Sequence, residues 1–188
     1  MINNFNFQTK NDLRAYAKKH RSSLNINEIS KKVCQNLEKQ EFYQESENIL
    51  AYYPFNSEIS LCQCLMDDSK NWFLPKVDMQ NKEITIHVFR HGEDLVPNKW
   101  GVLEPSCCEE VDPQIINLAI IPALMADRHG YRLGYGAGFY DRFLKKLNPE
   151  CIKIVAVPES LFVTELPKDE WDLPVDAVVT EKGIFFVL

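Results

Sequence analysis

Gly134, Gly136 and Gly138 alternate in the run Asp127-Arg-His-Gly-Tyr-Arg-Leu-Gly-Tyr-Gly-Ala-Gly-Phe-Tyr-Asp141. Glycines carry no Cβ, so their backbone N–H groups can approach an oxyanion closely and adopt positive φ. The pattern after the run predicts a helix over 139–147, whose N-terminus would add partial positive charge. Arg132 supplies a full charge at the other end. Together these groups suit a phosphate, although a purely structural turn has the same glycines. The spacing is not a dinucleotide fingerprint, and no Gly-Lys-Ser/Thr follows to make a Walker A loop. Asp141 is a hard oxygen ligand of the kind that magnesium–nucleotide chemistry uses; it could equally be a carboxylate stabilising a helix start. Lys10 and Arg14 are four residues apart and share one face of a predicted helix. Two such cations can clamp a phosphate tail or form an ordinary solvated basic face.

The elements that must position these groups follow from periodicity and punctuation. Thr9 and Asp12 resemble a capping box opening a helix over 10–22. Ile29, Val33 and Leu37 share a face of a second predicted helix over 27–42. Short apolar runs predict strands over 48–55, 72–77, 84–90, 118–121, 152–157 and 177–180, with a turn at Asn81 and a terminal run after Gly183. Ile59, Cys62 and Met66 suggest a helix over 57–66, and 91–113 reads as a long loop. Residues 1–8 read as a loose lead-in. Strands alternating with helices predict an α/β fold, namely one three-layer α/β/α domain over 1–188 with a mostly parallel, Rossmann-like sheet covered on both faces.

Composition narrows the classes. The chain has 188 residues, enough for one domain with a sizeable core, and its hydrophobic and charged fractions are those of a soluble globular protein. A net charge of −6 argues against nucleic acid as a partner drawn by the average field. No apolar run reaches membrane-spanning length, so no membrane association is expected. Cys34, Cys62, Cys64, Cys107, Cys108 and Cys151 follow no metal-binding spacing, and none lies in a glycine-rich turn or beside a histidine. Reduced thiols in a cytoplasmic protein are the expectation. No pairing of nucleophile and base stands out.

The run Arg132-Leu-Gly-Tyr-Gly-Ala-Gly-Phe-Tyr-Asp141 resembles the signature of the 5-formyltetrahydrofolate cyclo-ligase family, also called 5,10-methenyltetrahydrofolate synthetases. The likeness extends along nearly the whole chain. Lys10-x3-Arg14, the stretch from Tyr53 to Glu58, Phe73-Leu-Pro-Lys76, Trp100-Gly-Val-Leu-Glu-Pro105 and Val175-Asp-Ala-Val-Val-Thr180 match further family elements in the family's order. Phe139 stands where tyrosine is common, keeping the ring and losing a hydroxyl. The resemblance implies ATP-dependent closure of 5-formyltetrahydrofolate to 5,10-methenyltetrahydrofolate, by a small-molecule enzyme acting as a monomer. It implies that Lys10, Arg14, Arg132, Gly134, Tyr135, Gly136, Ala137, Gly138 and Phe139 bind ATP. Tyr53, Glu58, Trp100, Tyr135, Gly136, Gly138 and Phe139 would contact the folate. Asp141 and Asp176 would hold Mg2+, and Arg14, Arg132 and Asp141 would serve the reaction directly. The plainer alternatives are a loop aromatic packed on the core for Trp100, a helix-start charge for Glu58 and a solvated strand-start carboxylate for Asp176. Arg128 is expected to join Lys10, Arg14 and Arg132 in offsetting the net negative charge at the site.

Overall fold

The computed structural model describes residues 9–187 apart from 82, 93, 94, 107 and 108. The expected lead-in over 1–8 and the thiols of Cys107 and Cys108 lie outside the described residues.

An eight-stranded sheet forms the centre. Its strands are β1 (Asn48–Leu50), β2 (Asn71–Asp78), β3 (Glu83–Phe89), β6 (Glu110–Val111), β7 (Leu118–Pro122), β10 (Ile152–Ala156), β12 (Ala177–Thr180) and β13 (Gly183–Phe186). The order is β13-β12-β10-β7-β1-β2-β3-β6. The five inner strands from β12 to β2 are parallel, and β13, β3 and β6 add antiparallel edges. Buried residues alternate between its faces along each inner strand. Ile49, Leu74, Leu118, Ile120, Ile154 and Val179 join one core, whereas Leu50, Phe73, Ala119, Ile121, Val155 and Val178 join the other. Burial on both faces is why these strands read as continuous apolar runs.

α2 (Ile26–Glu38) covers the first face through Val33, Cys34 and Leu37. The expected helix over 27–42 is broken at Gln40, whose extended backbone starts α3 (Glu41–Glu45) and carries Tyr43 into the same core. The second face is covered more thinly. There α4 (Phe139–Phe143) runs for five residues and tightens into a 3-10 turn, burying Phe143, Leu144 and Leu147. The mixed α/β class and mostly parallel sheet match expectation, with fewer and shorter helices than a regular three-layer design.

Two further departures shape the site. Residues 57–66 form no α-helix, only a 3-10 turn at Cys64–Met66. Ile59 and Leu61, two residues apart, are both fully buried as extended chain demands, while Met66 is 61% exposed. Residues 91–113 are not one loop. β4 (Leu95–Pro97) and β5 (Leu103–Pro105) form a hairpin there, followed by β6.

The glycine run grows out of a small sheet in which β8 (Met125–Asp127) lies between β9 (Arg132–Leu133) and β11 (Phe162–Val163). α1 (Lys10–Arg21) packs Leu13 and Ala17 against its Met125, Leu133 and Val163. The Thr9 hydroxyl accepts the Asp12 N–H at 3.2 Å and caps α1 as the sequence suggested. No helix among the described residues is long and apolar enough to cross a membrane.

Candidate active site

β2 follows β1 on one side, and β7, β10 and β12 fill the other. The chain therefore changes direction between β1 and β7, and the carboxyl ends of those strands flank the crevice where open α/β sheets bind ligands. The loop leaving β1 carries Tyr53 and Glu58. The glycine run follows β9, which is tied back to the chain after β7 by the Leu124 N–H donating to the Leu133 carbonyl at 2.7 Å.

The two segments meet. The Tyr135 hydroxyl donates to Glu58 Oε1 at 2.6 Å, and the Phe55 N–H donates to Glu58 Oε2 at 2.9 Å. Glu58 is buried, and that burial pushes its carboxyl above its ordinary pKa against the Tyr135 hydroxyl, the Phe55 N–H and the Arg21 charge. Burial, reinforced by the Glu58 charge, pushes the Tyr135 hydroxyl far up, so it stays a donor. The Lys18 ammonium stands 5.6 Å over the Tyr135 ring. Tyr53 packs at the margin of the first core and makes no hydrogen bond to this pair.

Arg14 reaches the run from α1. Its Nε donates to the Gly134 carbonyl at 3.0 Å and its Nη1 to Asn11 Oδ1 at 2.7 Å. Gly136 adopts φ +106°, and a Cβ there would come within 3.2 Å of the Arg14 guanidinium carbon. Gly136 is thus required both by its backbone angle and by the cation laid against it. Gly138, at φ +67°, opens α4, and Arg142 lies beside it, with its Nη2 donating to the Ala137 carbonyl at 3.4 Å and its guanidinium 5.4 Å over the Phe139 ring. Arg142 was not foreseen because nothing separates it in sequence from an ordinary helix-surface arginine.

Arg132 and Asp141, at the two ends of the run, pair at 2.7 Å; the arginine side chain is 4% exposed and the aspartate 23%. Arg132 also donates to the Leu173 carbonyl at 3.2 Å. Lys10 does not touch the run. It bonds Asp169 and Asp172, each at 2.6 Å, and these partners hold its ammonium above the ordinary pKa despite desolvation, the largest single influence. One acidic segment thus contacts both Lys10 and Arg132, a connection with no local signal in the sequence.

Trp100, 47% exposed, stands at the tip of the β4–β5 hairpin, where Asn98 Oδ1 accepts the N–H groups of Trp100 and Val102. The hairpin comes beside the Glu58 loop, because a Cβ on Gly101 would lie 3.6 Å from the Phe55 ring. Asp176 is placed elsewhere. It immediately precedes β12, so it sits at the amino edge of the parallel strands, where its Oδ2 accepts the Lys153 N–H at 2.6 Å and lies 3.4 Å from the Lys153 ammonium. Arg128 also departs from expectation: it lies over Phe162 in a separate cleft lined by His129, Phe185 and Val187.

A glycine cradle and three guanidiniums fit a polyphosphate. Asp141 fits a magnesium ion beside it, since Mg2+ is commonly held by one or two carboxylates and substrate phosphates. Asp176 does not fit in this arrangement, because both its bonds go to Lys153. No cluster of three acidic, histidine or cysteine side chains suited to a metal occurs among the described residues.

Fold and crevice define an α/β protein with a glycine-rich loop, flanked by Arg14, Arg132 and Arg142, at the switch point of its sheet. Residues 6–181 match the model of the 5-formyltetrahydrofolate cyclo-ligase family, and the chain belongs to that family. It is 28% identical to a probable 5-formyltetrahydrofolate cyclo-ligase of Schizosaccharomyces pombe, over 93% of this chain and 96% of that one. It is 30% identical to the 5-formyltetrahydrofolate cyclo-ligase of Haemophilus influenzae, over 70% and 74% respectively. The solved structure of an Aquifex aeolicus 5,10-methenyltetrahydrofolate synthetase superposes with a TM-score of 0.83 at 31% identity, covering 95% of this chain and 92% of that one. The family makes this protein a ligase of folate metabolism.

Proposed function

We propose that this chain closes 5-formyltetrahydrofolate to 5,10-methenyltetrahydrofolate, with ATP consumed to ADP and phosphate, and that residues 1–188 act as one domain on a reduced three-layer, Rossmann-like scaffold. The observation that carries the reading is the Tyr135–Glu58 bond at 2.6 Å, since it joins the β1 loop to the glycine run beside Arg14. In this reading Tyr53, Glu58, Trp100 and the Tyr135–Phe139 stretch face the folate. Arg14, Arg132 and the backbone of Gly134 to Phe139 face the phosphates, and Lys10 joins them by exchanging Asp169 and Asp172 for phosphate oxygens. Asp141 would hold magnesium, which when bound neutralises charge on the phosphates.

The formyl group is an amide whose oxygen leaves poorly. The formyl oxygen bonds to the γ-phosphorus as ADP departs. The 10-nitrogen then bonds to the activated carbon, the carbon–oxygen bond breaks, and phosphate leaves with the former formyl oxygen while the 10-nitrogen loses its proton. No side-chain nucleophile is needed, so the residues act by positioning and by charge. The site's carboxylates and guanidiniums suit that role.

The test follows phosphate release from ATP with and without 5-formyltetrahydrofolate. Release that depends on the folate is expected, and folate-independent release overturns the reading. Heavy oxygen placed in the formyl group should appear in the released phosphate. Label found only in water would replace phosphoryl transfer by acid-assisted dehydration.

A further inference from the structure

Glu58 reaches the glycine run from a loop whose two ends are fixed in the core. Tyr52 and Ile59 are buried, and the Tyr52 hydroxyl donates to the Ile59 carbonyl at 2.9 Å. Between them the chain must reverse within a few residues. It does so in Phe55-Asn56-Ser57-Glu58, where the Glu58 N–H donates to the Phe55 carbonyl at 3.2 Å. The Glu58 side chain folds back over the same turn. Its Oε2 accepts the Phe55 N–H at 2.9 Å, and its Oε1 accepts the Tyr135 hydroxyl at 2.6 Å. The turn therefore sets the direction of the whole carboxylate. Asn56 is its second residue, at φ +52°, and is the one non-glycine residue with positive φ among the described residues. Turns with positive φ at this position are dominated by glycine, asparagine and aspartate. Asn56 is exposed, so the position demands a backbone angle and not a buried contact. The Phe55 ring also lies against the Trp100 hairpin, 3.6 Å from where a Cβ on Gly101 would stand, so the turn is hemmed in from that side.

We propose that Asn56 is a positioning residue: it acts through Glu58, and its left-handed backbone holds that side chain in the orientation that meets the folate. The inference rests on the reading that Glu58 faces the folate. Asparagine tolerates this angle, glycine adopts it freely, and a β-branched residue is strained by it. A strained residue relieves itself by turning φ negative. That re-aims the chain between Phe55 and Glu58, so the bonds from the Glu58 N–H to the Phe55 carbonyl and from the Phe55 N–H to Oε2 cannot both survive. The core anchors at Tyr52 and Ile59 stay in place, which confines the change to the tip of the loop. Glu58 is then correctly aimed in only a fraction of molecules, and the apparent folate affinity falls by that fraction. Local strain of this kind is found where a site must be held ready before its ligand arrives.

The full chain carrying Asn56→Gly, Asn56→Ala, Asn56→Val, Glu58→Ala or Asn56→Val with Glu58→Ala is assayed for folate-dependent phosphate release from ATP. Asn56→Val should raise the KM for 5-formyltetrahydrofolate about tenfold, the effect of a turn that is competent in about a tenth of molecules. Asn56→Ala should raise it about threefold, and Asn56→Gly should stay within about twofold of the wild type, following the order in which these residues accept positive φ. The KM for ATP and the kcat at saturating folate should stay within about twofold throughout, since folate binding and not the chemical step is disturbed. The double variant should be no worse than Glu58→Ala alone. Damage from glycine as large as that from valine would mean that the asparagine side chain itself is needed, and overturns the proposal. A lowered melting temperature with an unchanged folate KM would make the turn merely structural and overturns it equally. Amide hydrogen exchange reads the turn without folate: the Phe55 and Glu58 N–H groups should be protected in the wild type and in Asn56→Gly and exposed in Asn56→Val, and equal protection in all three sinks the idea. If Asn56→Val does not fold, Asn56→Ala and Asn56→Gly decide by the same two measurements. Failure of the folate reading has a different sign, a wild type that lacks folate-dependent ATP turnover.

Discussion

The segment from Asp127 to Asp141 is one stretch of chain with two opposite ways of using a carboxylate. At its start Asp127 is fully buried, and backbone N–H groups occupy both oxygens: His129 and Tyr131 on one, each at 2.9 Å, and Leu166 on the other at 2.9 Å. That aspartate closes a turn and staples a distant loop to β8. At its end Asp141 meets a side chain, Arg132, through one oxygen and remains partly open. Bonds to backbone amides cannot be exchanged without unfolding the turn, whereas a bond to a guanidinium can be shared with an arriving ligand. Asp176 is a third case, bonded to Lys153 at the opposite edge of the sheet and half exposed. In these residues the bonding partner, more than the acidic side chain itself, separates structure from candidate function.

The contrast can be broken by substitution. Asp127→Ala should cost the most, about 3–5 kcal/mol of stability, because three backbone donors lose a charged acceptor in a dry site. Denaturant unfolding measures it, and a loss under 1 kcal/mol would mean that water replaces the carboxylate. Asp141→Asn should leave the unfolding midpoint almost unchanged and lower turnover about 100-fold, near 2.7 kcal/mol of transition-state stabilisation. Wild-type turnover at limiting magnesium would remove the metal role from Asp141. Gly136→Ala should lower kcat/KM roughly tenfold with a stability cost of about 1–2 kcal/mol, since positive φ and the nearby Arg14 both resist a methyl. Full activity there would show that the run can shift away from Arg14. Asp176→Ala should have the smallest effect, within about 0.5 kcal/mol in stability and about threefold in turnover, as expected for an exposed ion pair. A loss as large as that of Asp141→Asn would instead bring the amino edge into the reaction.

Glu58 and Trp100 were legible through resemblance and order along the chain, not through local pattern. The helix expected around Glu58 is absent: Ile59 and Leu61, two residues apart, are both buried, while Cys62 and Met66, which would share the helical face of Ile59, stay partly or largely outside. The hairpin that carries Trp100 was hidden in a proline- and glycine-rich stretch. Its hydrogen bonds come from a turn built by Asn98, whose amide in turn bonds the buried Glu104. Glu104, which the sequence places in the same stretch as Trp100, thus braces the Asn98 turn that carries Trp100.

The sequence by itself determined the central strands, since burial on both faces demands uninterrupted apolar runs, and it determined α1 through a cap and a one-sided stripe. It also marked the glycine run, because positive φ and close approach of a cation admit few other residues. Tertiary structure alone decided which charges meet. Lys10 went to Asp169 and Asp172, Arg132 to Asp141 and Asp176 to Lys153. The physical reason is range: backbone preference and periodicity act within a few residues, whereas a charge is paired by whatever the packed sheet brings within a few ångströms of it.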